Sequence, residues 1–267
     1  TGWHGGEHSR GGVYLRDEGV ALAISNTTFR ENAYAAIMAD NGAATLTVES
    51  STFESNERPL WVEANLVGGI SDDNTFTTND HGHVRVGGVG SQSPLTTDQQ
   101  WLTLAVPYRV AGTINASAAL TLSPGTTIEF EQDFGLMIDG GTLIADATGG
   151  ERITFTAANG ETLNGFWKGI YFTNTFSTSN IIANADILYA GSSGWHGGAD
   201  SQAALFLRGG TGKSSVGLSD VKIANSGYWG LSVESGSVVA PCDSVTFENN
   251  TQGPSLLEDP AASACLP

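Results

Sequence analysis

The chain has only two cysteines, Cys242 and Cys265, in 267 residues, too few for a dense disulfide framework or a cysteine-built zinc centre. Cations are also scarce: 11 Lys and Arg stand against 28 Asp and Glu, a formal net charge of −17. Such a surface repels phosphate backbones and anionic membranes, which excludes nucleic acid as a partner. It also argues against an anionic polysaccharide unless a cation bridges the two. No run approaches the roughly 18 to 20 apolar residues of a membrane span. No segment carries a capped apolar stripe of helical period, so little helix is expected. There is no Ser-His-Asp order, no Cys-His pair, no phosphate-cradling loop and no zinc spacing. The chain opens on Thr1 with no Met and no charged-then-apolar leader, as expected of a processed or truncated start.

What is abundant is glycine, 35 residues, together with Ser, Thr, Asn and Asp, over a hydrophobic share of 40%. That is the profile of an all-β protein with many turns and enough apolar residues for a core. The sequence also repeats. Gly2-Trp3-His4-Gly5-Gly6 returns as Gly194-Trp195-His196-Gly197-Gly198, and Tyr14-Leu15-Arg16 returns as Phe206-Leu207-Arg208, a period of 192 to 194 residues. The chain is too short for two whole copies and reads as a window cut from a tandem array. A shorter period lies inside: Phe29, Phe53 and Phe76 are 24 and 23 residues apart, and Asn32, Asn56 and Asn79 keep the same step. Each short unit holds two or three brief strands of alternating pattern and cannot bury its apolar side alone. Stacked units can, which makes a solenoid with one continuous core.

The rungs are expected over 1–90, the back part of one long unit, and over 108–253, most of the next. Residues 91–107 read as a junction loop within the same solenoid, and 254–267 as a C-terminal cap. The dense apolar run Phe166–Phe172 should be buried on both sides of the wall or covered by a loop.

Several segments then resemble a family. Pro107-Tyr108-Arg109-Val110, Leu120–Phe130, Gly140–Ala145, Arg152–Thr156, Trp167-Lys168-Gly169-Ile170 and Ile187–Gly191 are similar to secreted bacterial proteins with right-handed parallel β-helix repeats. The resemblance covers nearly the whole chain. It implies a single-stranded right-handed parallel β-helix of about 10–12 rungs and a secreted or cell-surface location in a bacterium. Members of such folds include polysaccharide lyases, glycoside hydrolases, adhesins and surface proteins, so the fold leaves the function open. It also implies asparagine ladders at the corners: Asn32, Asn56 and Asn79 in one, Asn225 and Asn249 in another. Asn tolerates a left-handed corner, and its amide can bond the amides above and below.

The chemistry-bearing candidates are few. Trp3 and Trp195 offer flat faces to a sugar ring, with His4 and His196 beside them to supply hydrogen bonds or a metal ligand; the bland reading is an aromatic that clamps a glycine-rich loop to the wall. The two copies should fall on one side of the solenoid, roughly eight rungs or about 40 Å apart. His83 and Arg85 alternate on one face of a strand and are the catalytic alternative, with Asp72, Asp73 and Asp80 as candidates to hold Ca²⁺; otherwise no cofactor is expected. Asp17-Glu18, Glu129/Glu131/Asp133 and Glu258-Asp259 could supply carboxylates for glycoside hydrolysis. Cys242 and Cys265 are 23 residues apart, one turn of the short repeat, a spacing a disulfide in an oxidising compartment can bridge. The leading expectation is a non-catalytic extracellular or cell-surface repeat protein, a structural, adhesion or surface-assembly element contacting polysaccharide, copies of itself or other surface proteins. The competing reading is a polysaccharide lyase or glycoside hydrolase with a groove on the outer wall.

Overall fold

A computed structural model describes residues 10–16, 19–39, 45–87 and 92–262. Its strands are short, and every recorded pairing between them is parallel. They stack as a β-solenoid of about ten turns, with nearly no helix. At about 4.8 Å per turn the stack is about 48 Å long. Among the described residues no helix is long and apolar enough to cross a membrane.

One sheet runs the whole length. It begins with Val13–Leu15, Ala35–Ala39, Arg58–Val62 and Val84–Val86, continues through Tyr108–Val110, Thr127–Phe130 and Ile153–Ala157, and ends on the second halves of Ile181–Leu188, Ser215–Ala224 and Val238–Glu248. A second sheet starts at Gln92–Leu95 and ends at Gly253–Leu257. A third starts at Gln99–Trp101 and merges into the first halves of the three long strands. Those strands change wall at a single left-handed residue each, Asn184, Asp220 and Ser244, with φ of 50°, 50° and 53°. In the first turns two smaller sheets take these places, Ala21–Ser25 with Thr45–Glu49 and Thr28–Arg30 with Thr52–Glu54 and Thr75–Thr77.

Alternation in the sequence becomes inside and outside. In Thr142–Asp146 the inward Leu143 and Ala145 are buried and the outward side chains are not. Like residues stack in the bore: Phe29 on Phe53 and Phe53 on Phe76 at 5.3 and 5.4 Å, and Phe130 on Trp167 at 4.1 Å. Burying one such side chain stabilises the fold by about 1.5–3 kcal/mol.

Three expectations about organisation change. The stretch 91–107 is not a loop throughout, because Gln92–Leu95 pairs with Thr113–Ala116 and Gln99–Trp101 with Ala119–Leu122. Pro94 is tolerated because its strand is the first of its sheet and need not donate on its outer side. At the other end the last rung reaches Leu257, pairing with Trp229–Val233, so 254–257 belongs to the solenoid. Finally, the long repeat is not a whole number of turns. Tyr14-Leu15 lies in the first sheet, whereas Phe206-Leu207 lies in the second. Turn length varies with the corner loops, from 20 residues between Tyr108 and Ile128 to 37 between Ile144 and Ile181, so sequence period and wall drift apart.

Candidate functional site

Side chains of the first sheet that point outward form a strip from Trp61 through Arg85 and Arg109 to Glu129, successive partners in register. Arg85 lies over the Trp61 ring at 4.9 Å and pairs with Glu131, Nη1 to Oε1 at 2.5 Å and Nη2 to Oε2 at 3.4 Å. Arg109 donates through Nε to Glu129 at 2.9 Å and through Nη1 to Asn159 at 2.7 Å. Arg58 pairs with Glu57 and lies over Tyr34. Further along, Arg152 binds Asp186, Asn184 and Asp220, and Lys222 binds Glu248. Each of these cations holds a partner.

His83, the other half of the catalytic alternative, is not exposed beside Arg85. It precedes the strand and is buried, its ring edge-on to His81 at 5.5 Å, and its Nε2 has no hydrogen-bond partner. Burial, with the charges of Arg109, His81, Arg85 and Arg58 adding to it, pushes its pKa down to about 3. The imidazole is therefore neutral near neutral pH, enclosed, and next to an arginine already bound to a carboxylate.

The calcium candidates do not converge. Asp73 accepts the Ser50 amide at 2.8 Å and the Ser50 hydroxyl at 2.6 Å, and these bonds hold its carboxyl down to about 2. Among the described residues no three His, Cys, Asp or Glu side chains surround a common metal position, so Asp72, Asp73 and Asp80 form no such site. Four of the other acids are separately engaged: Glu129 and Glu131 with arginines, Glu258 with the Ser235 amide, Asp259 with the Ala261 amide. Asp17 and Glu18 lie outside the described residues.

Trp3 and His4 also lie outside them, but the second copy is described. Trp195 packs on Tyr171 of the second sheet at 5.0 Å, with the Lys168 ammonium 4.6 Å from its centroid. His196 meets Tyr171 and Phe206 edge-on, and its Nε2 is 2.5 Å from the Tyr171 hydroxyl. Burial raises the Tyr171 pKa and lowers that of His196, so both partners of this hydrogen bond favour their neutral forms. Gly135 makes room: a Cβ there would stand 2.6 Å from the Gly169 carbonyl and 2.9 Å from the Trp195 ring. The Trp195 loop thus covers the wall over Gly169–Thr173, whose residues are all buried. Trp195 is half-buried, with Tyr171 and Lys168 against its ring.

The corner asparagines sort by contact. Asn32 Nδ2 donates to Asn56 Oδ1 at 2.7 Å, and Asn56 Nδ2 to Asn79 Oδ1 at 3.0 Å. Their left-handed neighbours are Glu31, Ser55 and Thr78, one residue earlier. In the second copy Asn225 and Asn249 occupy those left-handed positions, and the ladder runs one residue later, from the Ser226 amide to Asn250 Oδ1 at 2.9 Å. The off-by-one arises because two neighbouring asparagines, Asn249 and Asn250, follow the Phe247 strand. Sequence spacing also missed a parallel ladder, Thr27 to Ser51 to Asn74, at the preceding corner. The proposed Cys242–Cys265 bridge ends outside the described residues at Cys265.

A groove of about 510 Å³ crosses the wall where the two long units meet. Gly68 and Gly69 form its floor because a Cβ at Gly69 would stand 1.7 Å from the Leu46 carbonyl. Thr45, Thr47, Thr97 and Gln100 offer hydroxyls and amides around it, and Asp98 is its one carboxylate. No family model, curated protein or solved structure matches the chain.

Proposed function

We propose that the chain is a non-catalytic secreted or cell-surface element that acts as a rigid spacer or adhesion module. The supporting observation is the state of the outer wall. Arg85, Arg109 and Arg152 on that wall are held by Glu131, Glu129 and Asp186, Glu258 accepts the Ser235 amide, and the buried His83 is neutral near neutral pH. General acid–base cleavage of a glycan needs a titratable pair aimed at a common reacting atom. Contact with a neutral polysaccharide fits the groove over Gly68 and Gly69 better than the half-buried Trp195, which packs on Tyr171. The test is incubation of the purified protein with neutral and uronate polysaccharides. No new reducing ends and no unsaturated-uronate absorbance are expected; turnover that disappears on His83→Ala or Arg85→Ala establishes the lyase reading instead. Location rests on the cysteine pair, and peptide mapping without reductant should recover Cys242 linked to Cys265.

A further inference from the structure

We infer that the edge formed by Val13–Leu15, Ala21–Ser25 and Thr28–Arg30 is a docking surface for a further copy of the long repeat unit, received through coils equivalent to 108–193. The inference holds whichever chemistry the outer wall performs, since it rests on the duplication and on the burial of its two copies. The first turns recur in detail near the other end. Left-handed residues Asn26, Glu31, Ser50 and Ser55 answer Asp220, Asn225, Ser244 and Asn249, each pair 194 residues apart. The strand Thr45–Glu49 answers residues 239–243, and Pro59 answers Pro254.

The two copies differ in what lies beneath them. In the second, Ala203–Leu207 is covered by Gly169–Thr173, and Ser215–Ala224 by Ile181–Leu188. Gly217 donates its amide to Asn180 at 2.8 Å across that seam. In the first copy the same three strands pair on one side only among the described residues. Burial follows. Leu205, Val216 and Ile223 are 0–1% exposed, while their counterparts Val13, Leu22 and Phe29 are only half-buried. Ala23, counterpart of the buried Gly217, is exposed.

A terminal rung that faces water permanently is expected to carry polar substitutions at its inward positions. This one keeps Val13, Leu22, Ile24 and Phe29 there, apolar like Leu205, Val216, Leu218 and Ile223 of its buried twin. The molecule itself therefore shows what fits: a parallel coil with the sequence of Gly169–Leu188, whose last residues lead into the duplicated Gly-Trp-His-Gly-Gly loop. Tight turns and apolar edges of this kind extend by adding strand to strand.

The test is a chimera in which residues 108–193 precede Gly2 in place of Thr1, the order residue 193 has with Gly194. Amide exchange in residues 20–30 is measured in the natural chain, the chimera, and a control chimera carrying Ile170→Asp and Ile187→Asp in the added segment only. Exchange in that stretch should slow by about tenfold or more in the chimera and stay unchanged in the control. Unchanged exchange in the chimera, an added segment that itself stays unprotected, or equal protection in the control overturns the inference.

Discussion

Arg85 is fixed between two neighbours: its guanidinium lies 4.9 Å from the Trp61 ring centroid and, on its other flank, holds the Glu131 carboxylate. Trp61 and Arg85 are register partners on adjacent turns, and Glu131 follows a strand two turns beyond Arg85. The contact braces the wall across the region where the two long units join. Both side chains of the ion pair keep some exposure, 21% and 31%, so solvent screens it. Arg85→Ala should destabilise by about 1–2 kcal/mol, and Glu131→Gln by less. A double-mutant cycle in urea checks this; a coupling near zero would mean that the pair contributes nothing beyond packing.

His83 gives the fold a pH dependence with a defined sign. Its folded pKa of about 3 lies below the ordinary 6.5, because burial disfavours the cation. The unfolded chain therefore binds a proton that the folded chain refuses as pH falls below 6.5, and stability declines from there down to about pH 3. His81 and His196 are lowered in the same direction, with burial the leading cause in each. Asp73, depressed to about 2, adds its own loss only below 3.8. Melting temperature measured from pH 7 to pH 4 should fall, and His83→Gln should flatten the fall. An unchanged slope in that variant rules out His83 as the source.

Asn56 is the centre of its ladder and fully buried. It accepts from Asn32 and donates to Asn79 and to the Phe29 carbonyl at 3.0 Å. Asn56→Ala strips partners from buried groups and should cost about 2–3 kcal/mol. Asn32, at the more exposed end, should cost about 1 kcal/mol or less on the same change. Chemical denaturation of the two variants ranks them; equal losses contradict a cooperative ladder.

Gly135 is small for a reason that concerns Trp195. Gly135→Ala brings a methyl against the Gly169 carbonyl, which is backbone and cannot swing away, and against the indole above it. The variant should lose about 1–3 kcal/mol and loosen the loop over the second sheet. Faster proteolysis within 189–202 and red-shifted tryptophan emission are the readouts. A loop that stays as protected as in the natural chain shows that Trp195 is not what holds it down.

The solenoid was readable in the one-dimensional pattern because stacking places like residues over like. Phe29, Phe53 and Phe76 had to recur at one turn's length to share a core row, and Asn32, Asn56 and Asn79 to share a corner. The Trp195 clamp was legible only as one of two options, since a glycine-rich aromatic loop suits a ligand as well as a wall. The Arg85–Glu131 and Arg152–Asp220 pairs were not legible at all, being 46 and 68 residues apart with no local signature.

Sequence alone determined that this chain winds into stacked β turns, because burial of an alternating apolar row requires a neighbour of the same pattern. Which wall each copy of the long repeat occupies, which asparagine bonds its neighbour and which charges meet were decided only by tertiary structure. Loops of unequal length at the corners set the phase between sequence and turn, and that phase is a sum over many residues rather than a property of any one motif.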